Sequence, residues 1–394
     1  MKNKKSFTFI HTADWHIGNS FARFDAEMRK KLNRAIFLTI EMIFVYADKN
    51  GIPLILCAGD VVDNGQLAGR EDLFRLFEII RKYPHIKMVM IAGNHDPLVP
   101  QNIYSRVERE NFPANLHLVR SDETLQYPEW GLTVWASSLM EKNGNYNPLA
   151  WVERADMDTS VINVGMCHGS IKNDAFAGNN FPIEPDAAGR FGLDYLALGD
   201  WHSYTEINSR TYYPGVPEPL QMGDDGYPLV VTIDRPGALP RVEPIKNVRQ
   251  YTWLEMTETV SADNFQAFKT RLESGGDKEI RKLTVTGYLP LEIFKTYKEL
   301  IAMNRNRYMK IEDTVSIKPD DRELLETADG FMSDVVRRLI GLKESGDPLP
   351  DGILDAYATA GQGEVFKLAD SLTREAIIDN ALLSIYSYFK ERHQ

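Results

Sequence analysis

Pro53-Leu-Ile-Leu-Cys-Ala-Gly-Asp60-Val-Val-Asp63 is an apolar run that stops at a glycine and then offers two carboxylates three positions apart. The apolar part is short, so it reads as a strand buried on both faces. Glycine lets the chain turn sharply, and the carboxylates emerge at the strand's carboxyl end. The same grammar recurs on either side. Phe7-Thr-Phe-Ile-His-Thr12 leads into Asp14-Trp-His16, and Lys87-Met-Val-Met-Ile-Ala92 leads into Gly93-Asn-His-Asp96. Between these strands, residues 25–49 carry apolar positions at helical spacing (Met28, Leu32, Ile36, Ile40, Ile43, Phe44). Residues 70–82 form a second such stretch. The spacing predicts a βαβαβ pattern, the mark of a sheet covered on both faces.

Two further strands end in the same way. Val161-Ile-Asn-Val-Gly-Met166 precedes His168-Gly169, and Tyr195-Leu-Ala-Leu198 precedes Gly199-Asp200-Trp-His202. Strands are also expected at 132–136, 211–213 and 228–233. In α/β sheets, ligands bind in the crevice beyond the carboxyl ends of the strands. Five polar strand ends converging there would make a site rich in carboxylate and imidazole. Such donors suit divalent metals of hard to borderline character. A pair of metals about 3.5–4 Å apart clamps a phosphoryl group for in-line attack. Any one motif is a common turn. Four of the eight histidines, His16, His95, His168 and His202, nevertheless fall at these strand ends. His11, inside the first strand, reads as a satisfied core residue.

The bulk numbers are consistent with a multi-domain globular chain. It has 394 residues, 43% of them hydrophobic and 26% charged, and a formal net charge of -11. That balance argues against a free-standing, high-affinity nucleic-acid binder, because such binding rests on phosphate neutralisation. Cys57 and Cys167 read as small buried hydrophobes. No window has the length of apolar sequence a membrane span needs. Met1-Lys-Asn-Lys-Lys runs straight into a strand, without the apolar helix of a signal peptide. A cytoplasmic protein with no membrane partner is expected.

The ordered set Asp-x-His, Gly-Asp-x-x-Asp, Gly-Asn-His-Asp, His-Gly and Gly-x-x-His resembles the calcineurin-like metallophosphoesterases. Flanking text narrows the resemblance. Ile10-His-Thr-Ala-Asp-Trp-His-Ile-Gly18, Ala58-Gly-Asp-Val-Val-Asp63, Ala92-Gly-Asn-His-Asp96 and Tyr213-Pro-Gly-Val-Pro-Glu-Pro219 are similar to SbcD-type DNA-repair exonuclease subunits. The resemblance covers residues 7–220. It implies an α/β fold: a calcineurin-like phosphoesterase β-sandwich flanked by helices, with a small α+β capping domain and a helical C-terminal tail. It implies two divalent metal ions, with manganese first and magnesium, iron or zinc as alternatives. Asp14, His16 and His202 would hold one metal, Asn94, His168 and Asp200 the other, and Asp60 would bridge. His95 would act on the phosphate or leaving group, with Asp63 orienting its imidazole. One departure stands out. The family usually carries histidine where this chain has Asp200, which tilts the second site toward manganese or magnesium, or leaves its metal loosely held.

The rest of the chain is expected to divide at the turn-rich stretch Asp234–Pro240. Residues 1–236 would form the catalytic domain, 237–320 an α+β capping domain that binds DNA, and 321–394 a helical tail. Between 278 and 310 eight basic residues stand against three glutamates, with Tyr288, Tyr297 and Tyr308 interleaved. Lys278, Arg281, Arg305 and Arg307 are candidate substrate-binding residues on such a face. The tail carries an apolar stripe, Ile377, Ala381, Leu382, Ile385 and Phe389. It would pack on its own domain or, as the resemblance implies, on an SbcC-like coiled-coil ATPase. A homodimer stays open. The function expected is a metal-dependent DNA exo/endonuclease. A small-molecule or cyclic-nucleotide phosphodiesterase and a non-catalytic metal-binding scaffold subunit are the alternatives.

Overall fold

The computed structural model describes residues 6–63, 69–154, 156–172, 180–319, 324–326, 330–347 and 374–392. The expected helical segment at 351–358, and the start of the one at 362–392, lie outside these residues. The chain divides into two compact units, Met1–Glu255 with Gly276–Lys282, and Met256–Gly275 with Leu283–Gln394.

The first unit is built on two six-stranded sheets. The first contains β1 (Phe7–Thr12), β2 (Leu54–Ala58), β3 (Lys87–Ile91), β4 (Leu116–Leu118), β11 (Leu229–Ile233) and β12 (Arg241–Pro244), in the order β12-β11-β1-β2-β3-β4. The second contains β5 (Asp122–Tyr127), β6 (Leu132–Ser137), β7 (Ile162–His168), β8 (Tyr195–Gly199), β9 (Thr205–Asn208) and β10 (Thr211–Tyr213), in the order β5-β6-β7-β8-β10-β9. The central strands of both run parallel; antiparallel strands close both edges of the second sheet and one edge of the first, whose other edge strand, β4, runs parallel to β3.

Alternation along the strands explains the sandwich. Phe9, Leu54, Leu56, Val89 and Ile91 share one core with Val134, Val164, Met166, Tyr195 and Ala197. On the opposite side of β2, Ile55 and Cys57 are fully buried too, so that strand is covered on both faces. Helix α1 (Ala26–Lys49) starts at Asp25, whose carboxylate accepts the Met28 N–H. It buries Leu32, Ile36, Ile40, Ile43 and Phe44, the spacing read from the sequence. Helix α2 (Arg70–Arg81) buries Leu73, Leu76, Phe77 and Ile80. A one-turn helix, α3 (Ala187–Arg190), precedes β8 and buries Ala187 and Ala188. His11 is buried and bound by the Tyr195 hydroxyl and the Leu198 carbonyl, as its place in a core strand suggested. Among the described residues no helix is long and apolar enough to cross a membrane.

One boundary needs correcting. The turn at Asp234–Pro240 does not leave the catalytic domain, because β12 follows it and pairs antiparallel with β11. Strands β4, β5, β9 and β12 carry no clear signal in the sequence for one reason. They are short or lie at sheet edges, and their apolar content is low.

A smaller sheet, most of which belongs to the second unit, is made of β13 (Thr252–Val260), β14 (Glu279–Leu289), β15 (Lys310–Asp313) and β16 (Ser316–Ile317). Helices α4 (Phe265–Glu273) and α5 (Leu291–Asn304) supply Phe268, Leu272, Tyr297 and Leu300 to its core. Two longer helices follow, α6 (Gly330–Ser345) and α7 (Arg374–Arg392). Val336 and Ile340 of α6 pack with Ile378, Leu382 and Tyr386 of α7, and Tyr288 of β14 joins that cluster. The α+β part and the helical part therefore share one unit. Within the tail stripe, Ile377 and Leu382 are buried by this unit.

Candidate metal centre

Five strand ends meet, three from the first sheet and two from the second. The loops after β1 and β2 run side by side. Asp14 N–H donates to the Gly59 carbonyl, His16 N–H to Asp60 and Ile17 N–H to Val61, at 2.9–3.0 Å. Asp14 (φ 54°), His16 (φ 45°) and Asp60 (φ 51°) all adopt left-handed backbone, and Asp200 lies at φ 111°. Asp and His tolerate the left-handed region better than most residues, but each such position costs about 1–3 kcal/mol. Surrounding bonds have to hold it. Asp96 supplies several of them, accepting from Gly93 N–H (2.7 Å), Val61 N–H (2.9 Å), Val62 N–H (3.1 Å) and the Tyr104 hydroxyl. Gly93 is required by space, since a Cβ there would lie 2.1 Å from Asp60 Oδ1.

Asp60 stands at the centre. Its Oδ2 lies 3.7 Å from His16 Nε2 and 3.5 Å from His168 Nε2. Its Oδ1 accepts the His95 N–H at 2.9 Å. One carboxylate oxygen between two imidazole nitrogens is the position a bridging ligand takes. On one side, His16 Nδ1 is bound by Asp63 at 3.1 Å, which turns Nε2 inward. The His202 ring lies 5.0 Å from the His16 ring. On the other side, His168 Nδ1 is bound by the Ala58 carbonyl at 2.9 Å, and Nε2 faces Asn94 Oδ1 at 2.8 Å and Asp200 Oδ1 at 3.8 Å. Asp14 accepts the Asp200 N–H through both oxygens, at 3.1 and 3.3 Å.

The donor set fits divalent metals. His16 Nε2 is buried and has no hydrogen-bond partner, an orphan that would be costly without a Lewis acid in front of it. Asp14 and Asp60, both buried, and the partly exposed Asp200 bring three carboxylates into one cluster. Burial pushes Asp14 up to about 6, with Asp60 adding to it against the nearby imidazoles. Burial disfavours a charged His168, yet Asp60, Asp14 and Asp200 outweigh it and raise the imidazole to about 9. Carboxylates that drive the buried His168 imidazole toward its cationic form make a place that calls for positive charge. Ligand atoms of Asp14, Asp60 and His168 lie within 4.8 Å of one another, as do those of His16, Asp60 and His95. This grouping sets Asp14 nearer His168 than the expected division did. The closest approach, 4.0 Å, is to His168 Nδ1, which the Ala58 carbonyl already engages.

His95 is the most exposed member. Its Nδ1 is bound by the Asp63 carbonyl at 2.9 Å and lies 3.2 Å from the Asp63 carboxylate, which leaves Nε2 free. Bonding to Asp63 raises His95 to about 9 against a smaller opposing effect of burial. Burial works against ionisation of Asp63, but bonds to His16 and His95 hold its carboxyl well below the ordinary range. Asp63 thus serves two histidines, where the sequence suggested one.

Three supporting residues had no motif to announce them. Asp224 Oδ1 lies 3.4 Å from His202 Nδ1. Ser170 donates to Asp200 Oδ2 at 2.6 Å. Tyr104 is contributed from beyond Asp96. Each approaches through tertiary folding, and only Ser170 sits beside a motif.

Of the four cations expected on a basic face between 278 and 310, Arg281 is buried and needs correcting. Arg281 is 6% exposed and its guanidinium is bound by Glu279. Lys282, Lys298 and Lys310 pair with Glu255, Asp313 and Glu312, acids outside the strip or at its edge. Tyr297 and Tyr308 are core residues and present no face for a base. Lys278, Arg305 and Arg307 are exposed.

The sandwich and the ordered carboxylates and imidazoles define a metallophosphoesterase. The chain belongs to the calcineurin-like phosphoesterase family, whose model matches residues 7–204. It is 27% identical over 244 residues to the uncharacterized metallophosphoesterase YhaO of Bacillus subtilis (strain 168), a match covering 57% of each chain. It is 28% identical over 94 residues to the D subunit of nuclease SbcCD from Escherichia coli (strain K12), covering 24% of this chain and 22% of that protein. The corresponding protein of Rhodobacter capsulatus is 31% identical over 91 residues, covering 22% of this chain and 21% of that protein. The chain thus spans little more than half the length of YhaO and about a fifth of the SbcCD proteins. Among solved structures, TT1561 of Thermus thermophilus aligns at a TM-score of 0.39 and 12% identity, over 62% of this chain and all of that one.

Proposed function

We propose that this metallophosphoesterase hydrolyses phosphodiesters at a two-metal site, with manganese as the working metal and DNA as the substrate. The observation that carries the two-metal reading is Asp60 Oδ2 between His16 Nε2 and His168 Nε2. Asp14, His16 and His202 would hold one metal, and Asn94, His168 and Asp200 the other. Divalent metals bound there supply Lewis-acid activation of the phosphoryl group and of water. The protein supplies the rest. Asp63 holds His95 by Nδ1, so its free Nε2 can pass a proton to the departing oxygen. Asp96 and Tyr104 keep the carrying loops rigid, which limits the reorganisation needed at the moment of reaction.

DNA rests on the flanking sequence and on the partial likeness to the SbcCD nuclease proteins. The small-molecule reading gains from one observation: the paired lysines and buried tyrosines of 278–310 weaken the chain's own pointer toward nucleic acid. A coiled-coil ATPase partner, suggested by the same likeness, is proposed for the nuclease reading only. The test offers the whole chain with Mn²⁺ linear duplex, single-stranded and hairpin DNA beside bis-p-nitrophenyl phosphate. Cutting of DNA supports the nuclease. Cleavage of the small ester alone moves the assignment to a small-molecule phosphodiesterase, and turnover of neither to a scaffold protein.

A further inference from the structure

Asp200 is where this chain departs from the imidazole its family usually carries, and the structure surrounds it with a device an imidazole would not need. A carboxylate offers two oxygens to a metal, whereas an imidazole offers one nitrogen. Ser170 donates its hydroxyl to Asp200 Oδ2 at 2.6 Å. The other oxygen, Oδ1, faces His168 Nε2 at 3.8 Å. The two oxygens thus have separate environments, one engaged by protein and one turned to the metal centre.

Ser170 is itself firmly placed. Its N–H donates to the Asn180 carbonyl (3.0 Å), and its carbonyl accepts from Ile183 (2.9 Å). On either side of it, the Tyr213 hydroxyl donates to the Gly169 carbonyl (2.7 Å) and accepts the Ile171 N–H (2.9 Å). Gly169 N–H reaches back to the Gly199 carbonyl at 3.2 Å, which ties the serine loop to the strand end that carries Asp200. Asp200 is fixed from its backbone as well, by donation to Asp14. Both groups are fixed, so the short bond between them persists without ordering a free side chain.

We infer that Ser170 is a positioning and specificity-determining residue that occupies one oxygen of Asp200, leaving it a single-donor ligand in place of the usual imidazole. The inference rests on the two-metal reading. A carboxylate limited to one oxygen suits a small cation of strict geometry. One free to use both oxygens suits Ca²⁺, which takes six to eight oxygen ligands and accepts bidentate carboxylates. Ser170 would therefore favour Mn²⁺ over Ca²⁺.

The test is metal titration of the whole chain by calorimetry, with Mn²⁺ and with Ca²⁺. In Ser170→Ala the Mn²⁺ affinity of one site is expected to fall about tenfold, the low end for loss of an outer hydrogen-bonding partner. Ca²⁺ affinity should hold or rise, so the preference for Mn²⁺ narrows by the same factor. Ser170→Thr, which keeps the hydroxyl, should restore the wild-type preference. In an Asp200→His background, where no second oxygen exists, adding Ser170→Ala should change nothing. An unchanged Mn²⁺/Ca²⁺ preference in Ser170→Ala overturns the inference, as does an equal effect in both backgrounds. A metal-free melting temperature lowered together with both metal affinities would show a structural role and overturn it too. Failure of wild type to take up any divalent metal would instead sink the metal reading itself.

Discussion

The Asp224 carboxylate braces His202: Oδ1 lies 3.4 Å from the imidazole Nδ1, while Oδ2 accepts the N–H groups of Leu220 and Gln221 at 3.0 and 3.2 Å. A carboxylate behind an imidazole fixes ring orientation and tautomer and turns the other nitrogen toward a metal. Asp224→Asn is expected to weaken metal binding roughly 10–100-fold. Asp225→Asn, next door and 67% exposed, should leave it unchanged. Calorimetric titration with Mn²⁺ compares the two, and equal isotherms for all three proteins would refute the role of Asp224.

His95 is expected to act on substrate and not to hold metal. Its Nδ1 is spent on Asp63, and its ring is the most exposed of the cluster. His95→Asn should lower kcat by about 10²–10⁴ while metal uptake stays at the wild-type level. Loss of one bound metal in that variant would make His95 a ligand, which its proximity to His16 and Asp60 also permits.

Tyr104 and Asp96 are a stability element of the site. The buried Tyr104 hydroxyl bonds a carboxylate that pins the Asp60 and Asn94 loops. Tyr104→Phe removes one hydrogen bond to a charged group and should cost about 2 kcal/mol. The urea midpoint checks this. A shift below a quarter of that size would mean the loops are held by other contacts.

His11 should set part of the acid sensitivity of the first unit. Burial lowers its pKa from 6.5 to about 3, against a smaller opposing effect of the Leu198 carbonyl. As pH falls below the ordinary value, the unfolded chain binds a proton that the folded chain refuses. Stability contributed by neutral His11 is therefore complete above that value and is lost progressively toward pH 3. The loss amounts to roughly 3 kcal/mol by about pH 4. His11→Gln should flatten the melting-temperature profile over this window, and an unchanged profile would exonerate His11.

The exposed cations of the expected DNA face can be separated from the buried one. Lys278→Ala, Arg305→Ala and Arg307→Ala should each move stability by less than about 0.5 kcal/mol, whereas Arg281→Ala should destabilise by removing a buried guanidinium from its pairing with the partly exposed Glu279. If DNA is the substrate and uses these exposed cations, the triple variant should bind it more weakly, with a shallower salt dependence. Unchanged binding would place the DNA elsewhere.

Much of the centre was legible because its ligands are local to strand ends. A buried strand declares itself by its apolar run, and whatever polar residue follows must emerge at the same edge of the sheet. That physics brings Asp14, His16, Asp60, Asn94, His95, His168, Asp200 and His202 together from sequence alone. It could not say that three of the strands belong to one sheet and two to the other, since alternation marks burial but not the partner across the core. Nor could it find Asp224, Ser170 or Tyr104, whose roles depend on distances across loops with no periodicity. The basic strip misled for a related reason: counting charges along the chain ignores acids such as Asp313 that fold onto them, and the tyrosines between them were needed in a core. The residue types at the strand ends were set by sequence. Which oxygen or nitrogen each presents was decided by neighbours that only the tertiary structure brings within hydrogen-bonding reach.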